Sequence, residues 1–143
     1  KTANSRYNLR MFDMISIYIL IAGSYTPFTL ILLKDNQGWL LFTIIWLLAF
    51  FGIAWKIFTV GKYNLVTTSL YIFMGGLWLF FYESFVNQIP SDALWWITAG
   101  CLTYLAGVIF YLLDNKLKYN HFIWHLFVLA ASGCHYISIY FYI

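Results

Sequence analysis

Two of the three histidines in this chain stand four residues apart in Tyr119-Asn120-His121-Phe122-Ile123-Trp124-His125, at the head of the last apolar run. On a helix, positions i and i+4 share one face, one turn apart. Two imidazoles so placed can hold one metal ion, and His-x-x-x-His is a known way of presenting two nitrogens to zinc. A carboxylate, Asp13, lies just inside the first apolar run. Ionisable groups at membrane depth are costly unless paired or bound to metal. Asp13, His121 and His125 are therefore the candidate chemistry, and the elements around them must decide whether they meet. The competing reading is that Asp13 caps a helix start while the histidines reach out to the headgroups.

Composition sets those elements. Of 143 residues, 63% are hydrophobic and 9% charged, and the mean hydropathy is +0.78. Soluble domains hold roughly 45–50% apolar and about 25% charged residues. The chain reads as an integral membrane protein, all-α, a polytopic transmembrane helix bundle. A net charge of +3 calls for no nucleic acid; the partners implied are membrane lipids. Cys101 and Cys134 sit inside apolar runs with no paired spacing and read as small buried residues.

At about 20 residues per crossing, five spans fit, near 11–33, 39–60, 65–82, 93–113 and 121–142. Residues 1–10 read as a polar, basic loop. Pro27, inside Ala22-Gly23-Ser24-Tyr25-Thr26-Pro27-Phe28, frees a backbone carbonyl and should distort the first span, with small and hydroxyl neighbours absorbing the strain. Residues 34–38 and 61–64 read as turns, 83–92 as a polar loop and 114–120 as a short basic loop. Gly75-Gly76 suits close helix packing. Trp95 and Trp96 read as interface anchors, and Asn120 as the N-cap of the fifth span.

Charge then assigns sides. Lys1, Arg6, Arg10, Lys56, Lys62, Lys116 and Lys118 fall on one side, and Lys34 alone on the other. The positive-inside rule makes the first side cytoplasmic, with the N-terminal loop inside and the C-terminus outside. Asp13 and the histidine pair both start their spans from that side, with His125 about 6 Å deeper than His121. They converge if the first and fifth spans are neighbours. His135 lies about 15 Å beyond His125 along the helix and cannot share an ion with it; it reads as an interfacial or hydrogen-bonded histidine. Either Asp13 binds the metal directly, or it acts through water and the third ligand lies upstream of Lys1.

Asp13 with Ile21-Ala22-Gly23-Ser24-Tyr25-Thr26-Pro27-Phe28, and Asn120-His121-Phe122-Ile123-Trp124-His125-Leu126-Phe127-Val128-Leu129-Ala130, resemble the bacterial hemolysin III family over the whole chain. That family is related to the progestin and adipoQ receptors. The resemblance implies seven spans, of which the five here correspond to the third to seventh, so that two upstream spans are absent and the chain is N-terminally incomplete. It implies a bacterial plasma-membrane location and a zinc ion (Zn2+) held by three histidines, two of them His121 and His125. Asp13 then hydrogen-bonds the water on the zinc, in a catalytic role. The first histidine and its partner serine have no counterpart in these residues. A ceramidase-like hydrolase of lipid amides or esters is the activity implied. The alternatives are a pore-forming cytolysin, for which no span shows a polar stripe, and a receptor-like protein with a structural zinc.

Overall fold

The computed structural model describes residues 2–33, 36–59, 64–113 and 119–143. The expected turns at Lys34-Asp35 and Gly61-Lys62-Tyr63, and residues 114–118 of the expected basic loop, lie outside the described residues. Within them the chain is α1 (Thr2–Pro27), a π-helical stretch (Phe28–Leu32), α2 (Asn36–Phe58), α3 (Asn64–Gly76), a 3-10 stretch (Leu77–Phe81), α4 (Tyr82–Gln88), α5 (Ser91–Leu112) and α6 (Asn120–Tyr142). Among the described residues, five helical segments are long and apolar enough to cross a membrane. All are helices because lipid offers no partner to backbone N–H and C=O groups, and a helix satisfies its own.

Three boundaries differ from the expected ones. The first helix starts at Thr2 rather than near Met11, because a polar sequence without Pro or Gly can continue an α-helix past the apolar run. Helix also continues through Glu83 to Gln88 instead of giving way to a loop. It stops at Ile89, whose extended backbone is what a residue before proline adopts. Asn120 is not a cap. Tyr119 holds the N-cap position without a side-chain cap bond, and Asn120, 1% exposed, donates its Nδ2 to Leu113 O at 2.7 Å.

Pro27 marks the point where α1 changes to π-helix. Around it, Ser24 Oγ donates to Leu20 O, Thr26 Oγ1 to Ala22 O and Thr29 Oγ1 to Tyr25 O, at 2.8, 2.9 and 3.0 Å. Hydroxyls from either side of Pro27 thus take backbone carbonyls of the turns that precede it.

α1 packs on α2, α3 and α6, while α5 and α6 form the most extensive pair. The close approaches are made by glycines other than those expected. A Cβ on Gly52 would stand 2.3 Å from the Tyr18 ring, and one on Gly100 would stand 2.4 Å from the His135 ring. One on Gly107 would stand 2.7 Å from Phe127 Cβ. At Gly75 and Gly76 a Cβ meets nothing within 4 Å, so the pair serves no close packing. Instead Gly75 O accepts the Tyr25 hydroxyl at 2.9 Å, just before the helix tightens to 3-10. Further polar contacts join the helices: Trp46 Nε1 to Thr26 Oγ1 at 3.2 Å, Tyr104 Oη with Ser132 Oγ at 2.8 Å, and Ser138 Oγ to Ala93 O at 3.1 Å. Small residues and interhelical hydrogen bonds hold helices together where lipid removes the hydrophobic drive between them.

Candidate metal centre

Asp13 sits more than three turns into α1, and the first turn of that helix carries no acidic residue. The capping explanation for this carboxylate therefore does not apply. Its backbone is fixed from two directions. Ser16 Oγ donates to Asp13 O at 2.7 Å, and Tyr71 Oη, reaching across from α3, donates to Met14 O at 2.6 Å. Nothing in the sequence marks Tyr71 for this contact.

The histidines stand on the first two turns of α6. Asn120 ties the start of α6 back to the end of α5. One turn on, Trp124 is 2% exposed and packs on Tyr111 with ring centroids 5.4 Å apart. The missing side chain at Gly107 admits Trp124 and Phe127 against α5. With Trp124 turned inward, His121 and His125 face α1 edge to face, ring centroids 4.6 Å apart at 82°.

The three side chains meet. His125 Nε2 is 3.0 Å from His121 Nε2. Asp13 Oδ2 is 3.4 Å from His121 Nε2, and Asp13 Oδ1 is 3.6 Å from His125 Nε2. Ligands about 2.0–2.1 Å from a tetrahedral zinc lie about 3.3–3.4 Å from one another. Each imidazole nitrogen meets a different Asp13 oxygen near that edge length, and one donor atom from each of the three residues falls within 4.8 Å of the others, close enough for the three to hold one ion. The donor chemistry fits as well, since two imidazoles and a carboxylate are borderline-soft nitrogen and hard oxygen ligands, a set zinc accepts.

The triad opens onto a cleft of about 770 Å³ lined by Arg6, Tyr7, Leu9, Arg10, Asp13, His121 and His125. The side chains of His125, His121 and Asp13 are 46%, 38% and 21% exposed, so the donors are reachable from that cleft. Arg6, Arg10 and Asp13 follow i, i+4, i+7 spacing on one helix face. Reading residues 1–10 as a loop hid this stripe, although the spacing itself was in the sequence. His135 takes no part: its Nε2 lies 3.3 Å from Ile97 O and 4.0 Å from Cys101 Sγ, against α5.

The comparisons with known proteins agree with the two motifs. Residues 1–136 match the family model described as Haemolysin-III related. The chain belongs to the haemolysin-III family. It is 42% identical over 131 residues to "Hemolysin-3" of Bacillus cereus, covering 92% of this chain and 59% of that protein. It is 37% identical over 134 residues to "Hemolysin-3 homolog" of Bacillus subtilis (strain 168), covering 94% and 62%. Human "Monocyte to macrophage differentiation factor" is 33% identical over 137 residues, covering 93% and 55%. This haemolysin-III chain thus spans little more than half the length of the curated relatives it matches. No solved structure matches it.

Proposed function

We propose that this haemolysin-III protein carries a zinc site formed by His121, His125 and Asp13, and that it hydrolyses lipid amides or esters at the cytoplasmic face of a bacterial plasma membrane. The observation that carries the reading is the convergence of two imidazole nitrogens, 3.0 Å apart, with an Asp13 oxygen 3.4 Å from one and the other Asp13 oxygen 3.6 Å from the second, opening on a cleft at the basic end of the bundle. The side assignment rests on the excess of Lys and Arg at that end.

Zinc bound by three protein ligands supplies a Lewis acid that polarises a carbonyl and acidifies water toward a pKa of about 7. The chain's own residues do the rest. His121 and His125 would hold the ion beside the cleft. Asp13 presents one oxygen to each imidazole, so one can complete the donor set while the other accepts a proton. In the balanced reaction, the oxygen of water bonds to the acyl carbon and the bond from that carbon to nitrogen or oxygen breaks. The water proton, held by Asp13, passes to the leaving amine or alcohol. The products are a fatty acid and the deacylated lipid, which alters membrane lipid composition.

The test is metal content and turnover of lipid amides and lipid esters by the purified protein. His125→Ala should lose bound zinc and turnover together, and Asp13→Asn should lose turnover. Unchanged turnover in the variants, or none in zinc-loaded wild type, sinks the hydrolase reading. The names of the two Bacillus relatives favour a second reading, membrane lysis. Dye release from liposomes that survives both substitutions would support it.

A further inference from the structure

The geometry points to the Arg6–Arg10 stripe as a subsite for the phosphate of an anionic lipid headgroup, placing that lipid's first acyl linkage at the histidine–aspartate triad. The inference rests on the proposed lipid-hydrolase reading and narrows its substrate class.

Both guanidinium side chains line the same cleft as the triad. On α1, Arg10 is one turn and Arg6 two turns from Asp13, about 4.5 and 10.5 Å along the axis. A phosphate held between them therefore stands about 5–10 Å from the triad. In a glycerophospholipid the phosphate and the first acyl carbonyl are separated by that order of distance. The cleft volume, about 770 Å³, lies within the range of sites that enclose a small organic ligand, roughly 300–1,000 Å³. Its formal lining charge is two guanidiniums against one carboxylate, and a divalent ion at the triad would make it more positive. Arginine forks match phosphate oxygens in pairs, which a diffuse basic surface does not. Leu9 and Tyr7 supply apolar wall beside the arginines. The positive-inside rule accounts for basic residues at this end, but not for two of them on one stripe with the carboxylate of the triad.

The test compares binding of dihexanoyl phosphatidic acid, dihexanoylglycerol and inorganic phosphate to the purified protein, by native mass spectrometry and by competition. Wild type should prefer phosphatidic acid over the neutral lipid by at least about tenfold, as expected for charge-assisted hydrogen bonds at a partly solvated site. The Arg6→Gln, Arg10→Gln double variant should erase that preference while keeping its affinity for dihexanoylglycerol within about twofold and its zinc content unchanged. The Arg6→Lys, Arg10→Lys variant should retain part of the preference, which guards against misreading a folding defect. Equal wild-type affinity for the two lipids overturns the proposal, as does a preference that survives loss of both arginines. Inorganic phosphate competing as well as the lipid overturns the lipid as its source. His125→Ala separates this inference from the reading beneath it. If that variant keeps its zinc, the triad fails as the metal site, whereas an arginine-dependent preference that persists without zinc leaves the subsite standing.

Discussion

Replacing Gly107 by alanine tests whether the α5–α6 seam sets the position of the histidine pair. The new methyl would stand 2.7 Å from Phe127 Cβ and 3.0 and 3.1 Å from the Trp124 ring. Ordinary contact begins near 3.4 Å, so at this level α6 must retreat by about 0.7 Å (3.4 − 2.7). Phe127 Cβ is fixed to its backbone and cannot swing aside, and Trp124 is held in the core beside Tyr111. Alanine is favoured over glycine in a helix by about 1 kcal/mol, while overpacking a tight site costs about 1–3 kcal/mol. The expected net result is a loss of up to about 2 kcal/mol. Gly133 on α6 is the control, because a Cβ there meets nothing within 4 Å. Propensity alone acts at that position, and Gly133→Ala should match or exceed wild type. Thermal unfolding in one detergent, followed by far-UV circular dichroism, reads both variants. A displaced α6 also moves His121 and His125 out of register with Asp13 on α1, so Gly107→Ala should weaken zinc retention while Gly133→Ala should not. Gly107→Ala as stable as Gly133→Ala, with equal zinc, would refute the claim that this seam positions the pair.

Two further outcomes separate the elements of the site. His135→Ala should keep its zinc content, whereas His121→Ala should lower zinc affinity by at least about tenfold; a chelator should strip wild type, and added zinc should restore turnover. Asn120→Ala removes the 2.7 Å bond to Leu113 O, which is part-buried, a loss of about 0.5–1.5 kcal/mol readable as a lower unfolding temperature.

What was legible in the sequence was what lipid dictates. Five apolar runs gave the five spans, and polar residues inside them gave Asp13 and the histidine pair. The spacing of His121 and His125, with Asp13 at the same end, anticipated a meeting that depends only on α1 and α6 being neighbours. The misreadings share a cause. Apolar length marks where a chain can sit in lipid, not where a helix begins or ends, so it places the start of α1 nine residues late, at 11 rather than 2. The cost was functional, because the omitted turns carry Arg6, Tyr7, Leu9 and Arg10, most of the cleft wall. Gly75-Gly76 looked like a packing pair by composition alone, yet the glycines at close approaches are single ones opposite large rings, as Gly52 is opposite Tyr18. Which glycine faces a ring depends on the rotation of two helices, and no local pattern states it.

The contrast between the three histidines shows why one pair is the candidate centre. His135 fills space left by Gly100, places its Nε2 toward Ile97 O and packs at a tilt against Tyr104, ring centroids 5.8 Å apart at 55°. Its Nδ1 is buried with no hydrogen-bond partner, and the void beside it, about 20 Å³, has room for little more than one water. Such a histidine serves packing, with that little room beside it. His121 and His125 differ in both respects. Their Nε2 atoms point at each other and at a carboxylate, and they open on a cleft large enough for a ligand. An imidazole at membrane depth must be compensated in either case. At His135 a backbone carbonyl does so and closes the site, whereas at the pair the partner is itself an acid that faces the cleft. The same residue type is thus structural at one end of the bundle and available for chemistry at the other. That difference comes from Asp13 being one helix away, on a stripe that continues to Arg10 and Arg6.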